Sequence, residues 1–308
     1  MNNSSYHIRN YQPSDFAECV RLSAEAEKIE PGRRPVLSPD FATRLHRPGC
    51  CPERDCFVAE KAGQVVACME VVPELTIGRV ILDCWVKPEH RHQGLAKGFL
   101  HHAVRRAKEL GVSRLHLNIA ENNAVAQRIL SRLGFTCVRR FLELSVDMDE
   151  IEELAVPGCR RLQHGEEEKL ARIQNRSFAD TWGYNLNTAE KIGYYVHLGN
   201  GVPEDVILYY DDNQVASYCW TRVAVEAGVE RGRIFMIGVD PDYRNRGIGK
   251  KILLAGLAHL KSKGVRVAEL TVDSENETAL TLYRAVGFEV TASSLWYEKV
   301  IGQDTGAK

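Results

Sequence analysis

The chain carries almost no net charge. Forty lysines and arginines stand against 41 aspartates and glutamates, a formal balance of −1 over 308 residues. Such a balance gives no bulk attraction to nucleic acid or to an anionic membrane, so any basic site must be local. Long apolar runs are missing too. None approaches the ~20 residues that a membrane helix needs, and Met1 to Tyr6 has no apolar signal core. The expectation is a soluble, cytoplasmic protein with neither nucleic acid nor membrane as partner. No Cys-x-x-Cys pair occurs among the nine cysteines. His46, Cys50, Cys51 and Cys56 cluster, but their spacing fits no common zinc module. No metal is expected, and the thiols read as reduced. Apolar residues, by contrast, make up 44% of the chain. That is enough for packed cores, and the length suits roughly two domains of about 150 residues.

A repeat supports the same division. Pro88-Glu89-His90-Arg91-His92-Gln93-Gly94-Leu95-Ala96 is matched by Pro241-Asp242-Tyr243-Arg244-Asn245-Arg246-Gly247-Ile248-Gly249. Gly134-Phe135 follows the first and Gly287-Phe288 the second. The offset is 153 throughout, from 241 − 88 to 287 − 134. A recurrence of about half the chain length predicts two similar domains. Their expected extents are residues 1–149 and 159–308. The acidic, then Pro-Gly-broken stretch 150–158 reads as the linker.

Each half shows the same order of elements. In the first, strands are predicted at 6–9, 56–60, 65–72, 80–86 and 115–119, with closing strands in 136–148. Helices are predicted at 16–29, from Ser38-Pro39-Asp40 onward, at 94–110 and at 124–133. In the second, strands fall at 206–210, 215–225, 234–239, 267–272 and 295–300. Helices fall at 166–178, 248–263 and 279–286. The pattern is a mixed α/β one, with hairpins early in each half and a β–α–β unit late.

The repeated motif lies between a strand and a helix. Gly94 and Gly247 permit close backbone approach there. The first N–H groups of the following helix have no internal partner, and the helix dipole is positive at that end. The result is an anion site suited to a pyrophosphate. Arg91, Arg244, Arg246 and Lys250 add charge nearby.

Val239-Asp240-Pro241-x-Tyr243-Arg244-x-x-Gly247-Ile248-Gly249 resembles motif A of the GCN5-related N-acetyltransferases, the GNAT superfamily. Asn276-x-x-Ala279-x-x-x-Tyr283-x-x-x-Gly287-Phe288 resembles its motif B. The resemblance covers both halves. It implies two tandem domains, each a mixed sheet of six or seven strands splayed open around acetyl-CoA, with helices flanking it. It implies that the backbone of Arg244, Asn245, Arg246, Gly247, Ile248, Gly249 and Lys250 holds the CoA pyrophosphate. The Ile237, Gly238 and Val239 edge would hydrogen-bond the pantetheine amides as an added strand does, and Asn276 would meet the pantetheine arm or the sulfur region. Val86, Arg91, His92, Gln93, Gly94, Leu95 and Ala96 form the corresponding groove of the first half.

In this superfamily the tyrosine four residues before Gly-Phe often protonates the departing thiolate. Tyr283 holds that place, whereas the offset puts Leu130 there in the first half, and leucine has no proton to give. The second half is therefore the expected catalytic domain, and the first a non-catalytic one with a candidate CoA groove. Attack by an amine also needs a base. Many relatives carry a glutamate on the strand before motif A, where this chain has Arg233. Glu226, Glu230 and Asp273 are the carboxylate candidates. Tandem architecture and length resemble the mycothiol synthases, but Arg233 and Thr271 stand where their glutamate and tyrosine are expected. Asp180, Trp182 and Tyr184 are candidates for an acceptor cleft. The leading function is N-acetyl transfer from acetyl-CoA to a small-molecule primary amine. The alternatives are a protein lysine or N-terminal acetyltransferase, a mycothiol synthase-like enzyme, and a CoA-binding sensor without turnover.

Overall fold

The computed structural model describes residues 6–29, 41–151, 156–198, 201–226 and 229–302. The helix start expected at Ser38-Pro39-Asp40 lies outside them. The elements up to residue 147 are β1 (His7–Asn10), α1 (Phe16–Ile29), α2 (Phe41–Leu45), α3 (Pro52–Asp55), β2 (Cys56–Lys61), β3 (Gln64–Glu74), β4 (Arg79–Val86), α4 (Leu95–Glu109), β5 (Arg114–Ala120), α5 (Ala124–Arg132) and β6 (Thr136–Asp147). After them come β7 (Cys159–Arg161), α6 (Glu167–Ser177), α7 (Ala189–Val196), β8 (Val206–Asp211), β9 (Gln214–Glu226), β10 (Val229–Val239), α8 (Ile248–Ser262), β11 (Val267–Asp273), α9 (Glu277–Arg284) and β12 (Glu289–Val300). Sequence periodicity anticipated neither the three-residue β7 nor α7.

Internal contacts divide the chain into two compact units. One comprises residues 1–139 and 294–308, the other residues 140–293. In the first, β1 to β4 form an antiparallel meander and β4 meets β5 in parallel. Positive φ angles at Ala62 (51°) and Gly63 (75°) turn the β2–β3 hairpin, matching the right-handed strand twist. The strand on the far side of β5 is β12, with Ser294 opposite Ala120 and Val300 opposite Arg114. In the second unit β7 to β10 are likewise antiparallel and β10 meets β11 in parallel. Here the closing strand is β6, with Phe141 opposite Asp273 and Asp147 opposite Val267.

Each unit is thus completed by a strand from the other half of the sequence. The division expected at 150–158 does not coincide with these units. The cause is packing. Leu142, Leu144 and Val146 of β6 are buried with Ile252, Leu257 and Leu260 of α8 and Leu270 of β11. Tyr297 of β12 is buried with Phe99 and Ala103 of α4 and Leu115 of β5. Alternation of apolar residues marks both as strands, but it carries no information about which sheet they join.

These pairings predict how fragments behave. Polypeptides 1–149 and 150–308, expressed separately, each lack their own closing strand. Both are expected to aggregate, and co-expression is expected to restore soluble protein. Two separately soluble, cooperatively unfolding fragments, measured by thermal circular dichroism, would contradict the strand assignment.

Candidate functional site

In the second unit β10 and β11 share a parallel ladder over three residues, from Arg231 opposite Val267 to Arg233 opposite Glu269. Beyond Arg233 the ladder stops, although β10 continues to Val239 and β11 to Asp273. On its other side β10 remains paired with β9 as far as Val239 opposite Ser217. One edge of residues 234–239 is therefore open over the length of a short strand. That is the geometry by which an extended ligand adds main-chain hydrogen bonds to a sheet. A register shift between Ile234 and Met236 leaves Phe235 as an extra, bulged residue at the mouth of the fork. Ile237, Gly238 and Val239 all lie on the open segment.

The open segment leads into the motif loop. Asn245 (φ 62°) and Gly247 (φ 73°) are both left-handed, and Gly247 is the N-cap of α8 with no side-chain cap. Nothing lies within 4 Å of where a Cβ on Gly247 would sit. The N-terminus of α8 therefore faces open space, its leading N–H groups available to an anion. The arginines also hold the loop itself. Arg244 donates to the carbonyls of Ser177 (2.8 Å) and Val239 (3.4 Å), so it ties the end of α6 to the loop. Arg246 donates to the carbonyl of Asp242 (3.0 Å) and lies 5.2 Å from the Tyr243 ring. Asp240, buried, accepts from Arg176 (2.8 Å) and from the N–H of Asp242 (3.1 Å). These side chains brace the loop, while Lys250 stands exposed beside it.

Asn276 is the N-cap of α9. Its side-chain oxygen accepts from the N–H of Ala279 (3.1 Å). Asn123 does the same for Ala126 (3.0 Å) in the first unit. The shared Asn-x-x-Ala pattern thus has a helix-capping reason in both units. Tyr283 lies on α9, 6% exposed, its ring 5.9 Å from that of Phe288. Burial pushes its phenol well above the ordinary value, so it stays protonated at neutral pH.

Of the carboxylate candidates, Asp273 is buried at the end of β11. Its carboxylate accepts from the N–H of Glu275 and its backbone carbonyl from the N–H of Asn276, both at 3.0 Å, which fixes the turn into α9. Glu230 pairs through its backbone with Val225, but its side chain and that of Glu226 lie outside the described residues. Arg233 is buried and donates to the Thr271 hydroxyl, so these two side chains join β10 to β11 where the strands part. Trp182 packs 6.1 Å from Phe141 of β6. Tyr184 stacks on Phe178 (5.2 Å) and donates to Asn175 (3.0 Å), while Asp180 is exposed. Tyr184 therefore braces the corner after α6, and Trp182 covers the sheet. Among the described residues, no group of three or more His, Cys, Asp or Glu converges to hold a metal ion.

Two features of the second unit escaped sequence reasoning. The bulge at Phe235 has no residue signature. The second is a close approach at Gly238, where a Cβ would sit 2.7 Å from the Ser177 Cβ and 2.9 Å from a ring carbon of Tyr218. The Ser177 and Tyr218 hydroxyls there are buried and make no hydrogen bond within the protein.

The first unit keeps the fork and the loop but not these features. Its parallel ladder again spans three residues, Arg79 opposite Arg114 to Ile81 opposite His116. His92 (φ 60°) and Gly94 (φ 84°) repeat the loop conformation, ahead of Leu95 and Ala96 at the start of α4. Arg91 donates to the Val86 carbonyl (3.3 Å), and Gln93 to the Glu89 carbonyl (2.9 Å). However, β3 and β4 pair without a bulge. The residue at the offset from Gly238 is Trp85, 2% exposed and edge-on to Phe41 at 5.6 Å. The Arg44 guanidinium lies 4.7 Å from the Trp85 ring and 3.1 Å from the fully buried Glu70. Where the second unit packs Gly238 closely against Ser177 and Tyr218, the first has an indole under Phe41 and Arg44.

Comparison with known proteins agrees with this geometry. A family model described as "Acetyltransferase (GNAT) family" matches residues 22–135 and 168–288. Curated relatives include mycothiol acetyltransferases of Propionibacterium freudenreichii, Cellulomonas flavigena and Nocardia farcinica. The first is 28% identical over 56% of this chain and 57% of that protein. The second is 29% identical over 69% and 65%. The third is 23% identical over 89% and 91%. Among solved structures, a tandem GNAT protein from the clavulanic acid biosynthesis pathway superposes with a TM-score of 0.71 at 14% identity, over 97% of this chain and all of that one. A GCN5-related N-acetyltransferase from Sphaerobacter thermophilus gives 0.67 at 20% identity, over 97% and 96%. The chain covers 57% and 65% of the length of the first two of these curated relatives; with a forked sheet and a glycine loop in each unit and a family match in both halves, it belongs to the acetyltransferase (GNAT) family.

Proposed function

We propose that the second unit transfers the acetyl group of acetyl-CoA to a primary amine of a small molecule by direct attack, and that the first unit does not turn over. The observation that carries this reading is the open edge of residues 234–239 leading into an unblocked helix N-terminus. Main-chain groups of Ile237, Gly238 and Val239 would pair with the pantetheine amides. The N–H groups that follow Gly247 would receive the pyrophosphate. The bulge at Phe235 turns backbone N–H groups out of the ladder at the fork, where an oxyanion would need a donor.

Tyr283 is the proposed general acid. Attack of the amine on the thioester carbonyl forms the C–N bond, and collapse breaks the C–S bond. The thiolate takes the phenol proton. Tyr283, a neutral phenol at pH 7, has that proton to give. In the first unit Leu130 replaces the tyrosine, Trp85 fills the position of Gly238, and β4 lacks the bulge. That unit retains the loop for CoA without a place for an acceptor. The curated relatives support a small-molecule acceptor over a protein one. Arg233 and Thr271, bonded to each other, give this chain a different wall at the fork from the one expected of a mycothiol synthase.

Gly247→Val is expected to strain a left-handed position and to crowd the pyrophosphate. Acetyl-CoA binding by calorimetry should fall sharply with the fold intact by circular dichroism; unchanged affinity sinks the loop assignment. Tyr283→Phe is expected to lower kcat by roughly 10²–10⁴ on an amine substrate while CoA affinity is kept. Full activity in that variant removes the tyrosine from the mechanism. Gly94→Val is expected to lower CoA stoichiometry while turnover is maintained. Abolished turnover, with the second site still occupied, contradicts the division between units.

A further inference from the structure

The reading above leaves the amine without a base. Arg233 occupies the strand position where a glutamate was expected, Asp273 is engaged in a turn, and the acceptor must lose a proton before it can attack. Among the described residues of the second unit's own half of the sequence, Glu269 also lies at the fork, where it is paired with Arg231 at 2.5 Å. A further carboxylate comes from β6, the closing strand that originates in the first half.

Register decides where it points. Thr271 of β11 lies opposite Glu143 of β6. Leu142 and Leu144 belong to the core under α8, as do Leu270 and Val272. Alternation therefore places Glu143 on the other face of the sheet, beside Thr271. Phe141, two residues earlier and on the same face, packs against Trp182 from the segment after α6. Arg233 reaches the same spot from β10 through its hydrogen bond to Thr271. Arg233, Thr271 and Glu143 thus follow one another across three strands, where β10 and β11 part. Glu143 is 8% exposed.

We propose that Glu143 is the general base of the second unit. This rests on the acetyl-transfer reading of that unit. The ammonium of the acceptor gives one proton to the Glu143 carboxylate, which passes it to solvent. The free amine attacks the thioester carbonyl and the C–N bond forms. Collapse breaks the C–S bond, and the thiolate takes the proton of Tyr283. The second nitrogen proton leaves through Glu143, and the tyrosinate is reprotonated from solvent. The net products are amide, free thiol and one proton. The counterpart of Glu143 in the first unit is Trp296, opposite Asn118, and tryptophan cannot act as a base.

The test is Glu143→Gln in the full chain, assayed by thiol release with two classes of nucleophile. Primary amines are protonated at neutral pH and need a base; hydroxylamine is largely unprotonated and does not. The expected result is a loss of roughly 10²–10⁴ in kcat with the most active primary amine of a panel. Hydroxylamine acetylation should be retained, CoA affinity unchanged, and the amine rate recovered as pH rises. Equal loss with both nucleophiles, or no loss with either, overturns the assignment. Glu143→Asp, which keeps the charge but withdraws it, should slow primary amines selectively and serves if the glutamine variant does not fold. Wild-type protein that binds acetyl-CoA yet transfers to no amine defeats the acetyl-transfer reading itself, and the base with it.

Discussion

The structure depends on two parallel strands that begin paired and then part. In each unit the ladder holds for three residues and then ends. Backbone N–H and C=O groups seldom go without partners inside a protein, so an edge left open over six residues of β10 is a costly arrangement unless something fills it. The closing strand makes the parting sustainable. With β6 clamped along the full length of β11 and β9 along β10, each strand bordering the fork keeps a complete ladder on its outer side. The fork is held open from both flanks.

The two units use one plan to different ends. Both close the loop at the fork with a bond from the first long helix, but the signs are reversed. Arg176 of α6 binds Asp240 in the second unit, whereas Glu18 of α1 binds Lys87 at 2.8 Å in the first. Around Gly238 the second unit buries the Ser177 and Tyr218 hydroxyls, which make no hydrogen bond within the protein, where the first buries Trp85 and the Arg44–Glu70 pair.

Much of this was legible in the sequence because it is local. The loop glycines, the hairpin turns and the strand–loop–helix order all follow from backbone preference and periodicity. Hydrogen-bond roles were less legible. Arg244 braces α6 and Asn276 caps α9, roles that their positions beside a loop did not announce. A polar residue in a loop can serve either purpose, and spacing alone does not distinguish them. Least legible was strand exchange. Residues 140–147 alternate as any strand does, and only the fit of Leu142, Leu144 and Val146 under α8 selects their sheet. Glu143 was invisible as a site residue for that reason: its neighbours in space are set by a pairing more than a hundred residues away in sequence.

The exchange also orders events during synthesis. The chain grows from its N-terminus, so β6 is made before the unit that it will close, and waits for β11. The first unit faces the opposite problem. Its β5 is complete at Ala120, but the strand that covers that edge begins pairing only at Ser294. At roughly 5–20 residues per second, the intervening stretch takes about 10–30 s to emerge. For that time the older half is a sheet with an open side, in need of shielding by a chaperone or by transient contacts. The first part of the molecule to be translated is among the last to be finished.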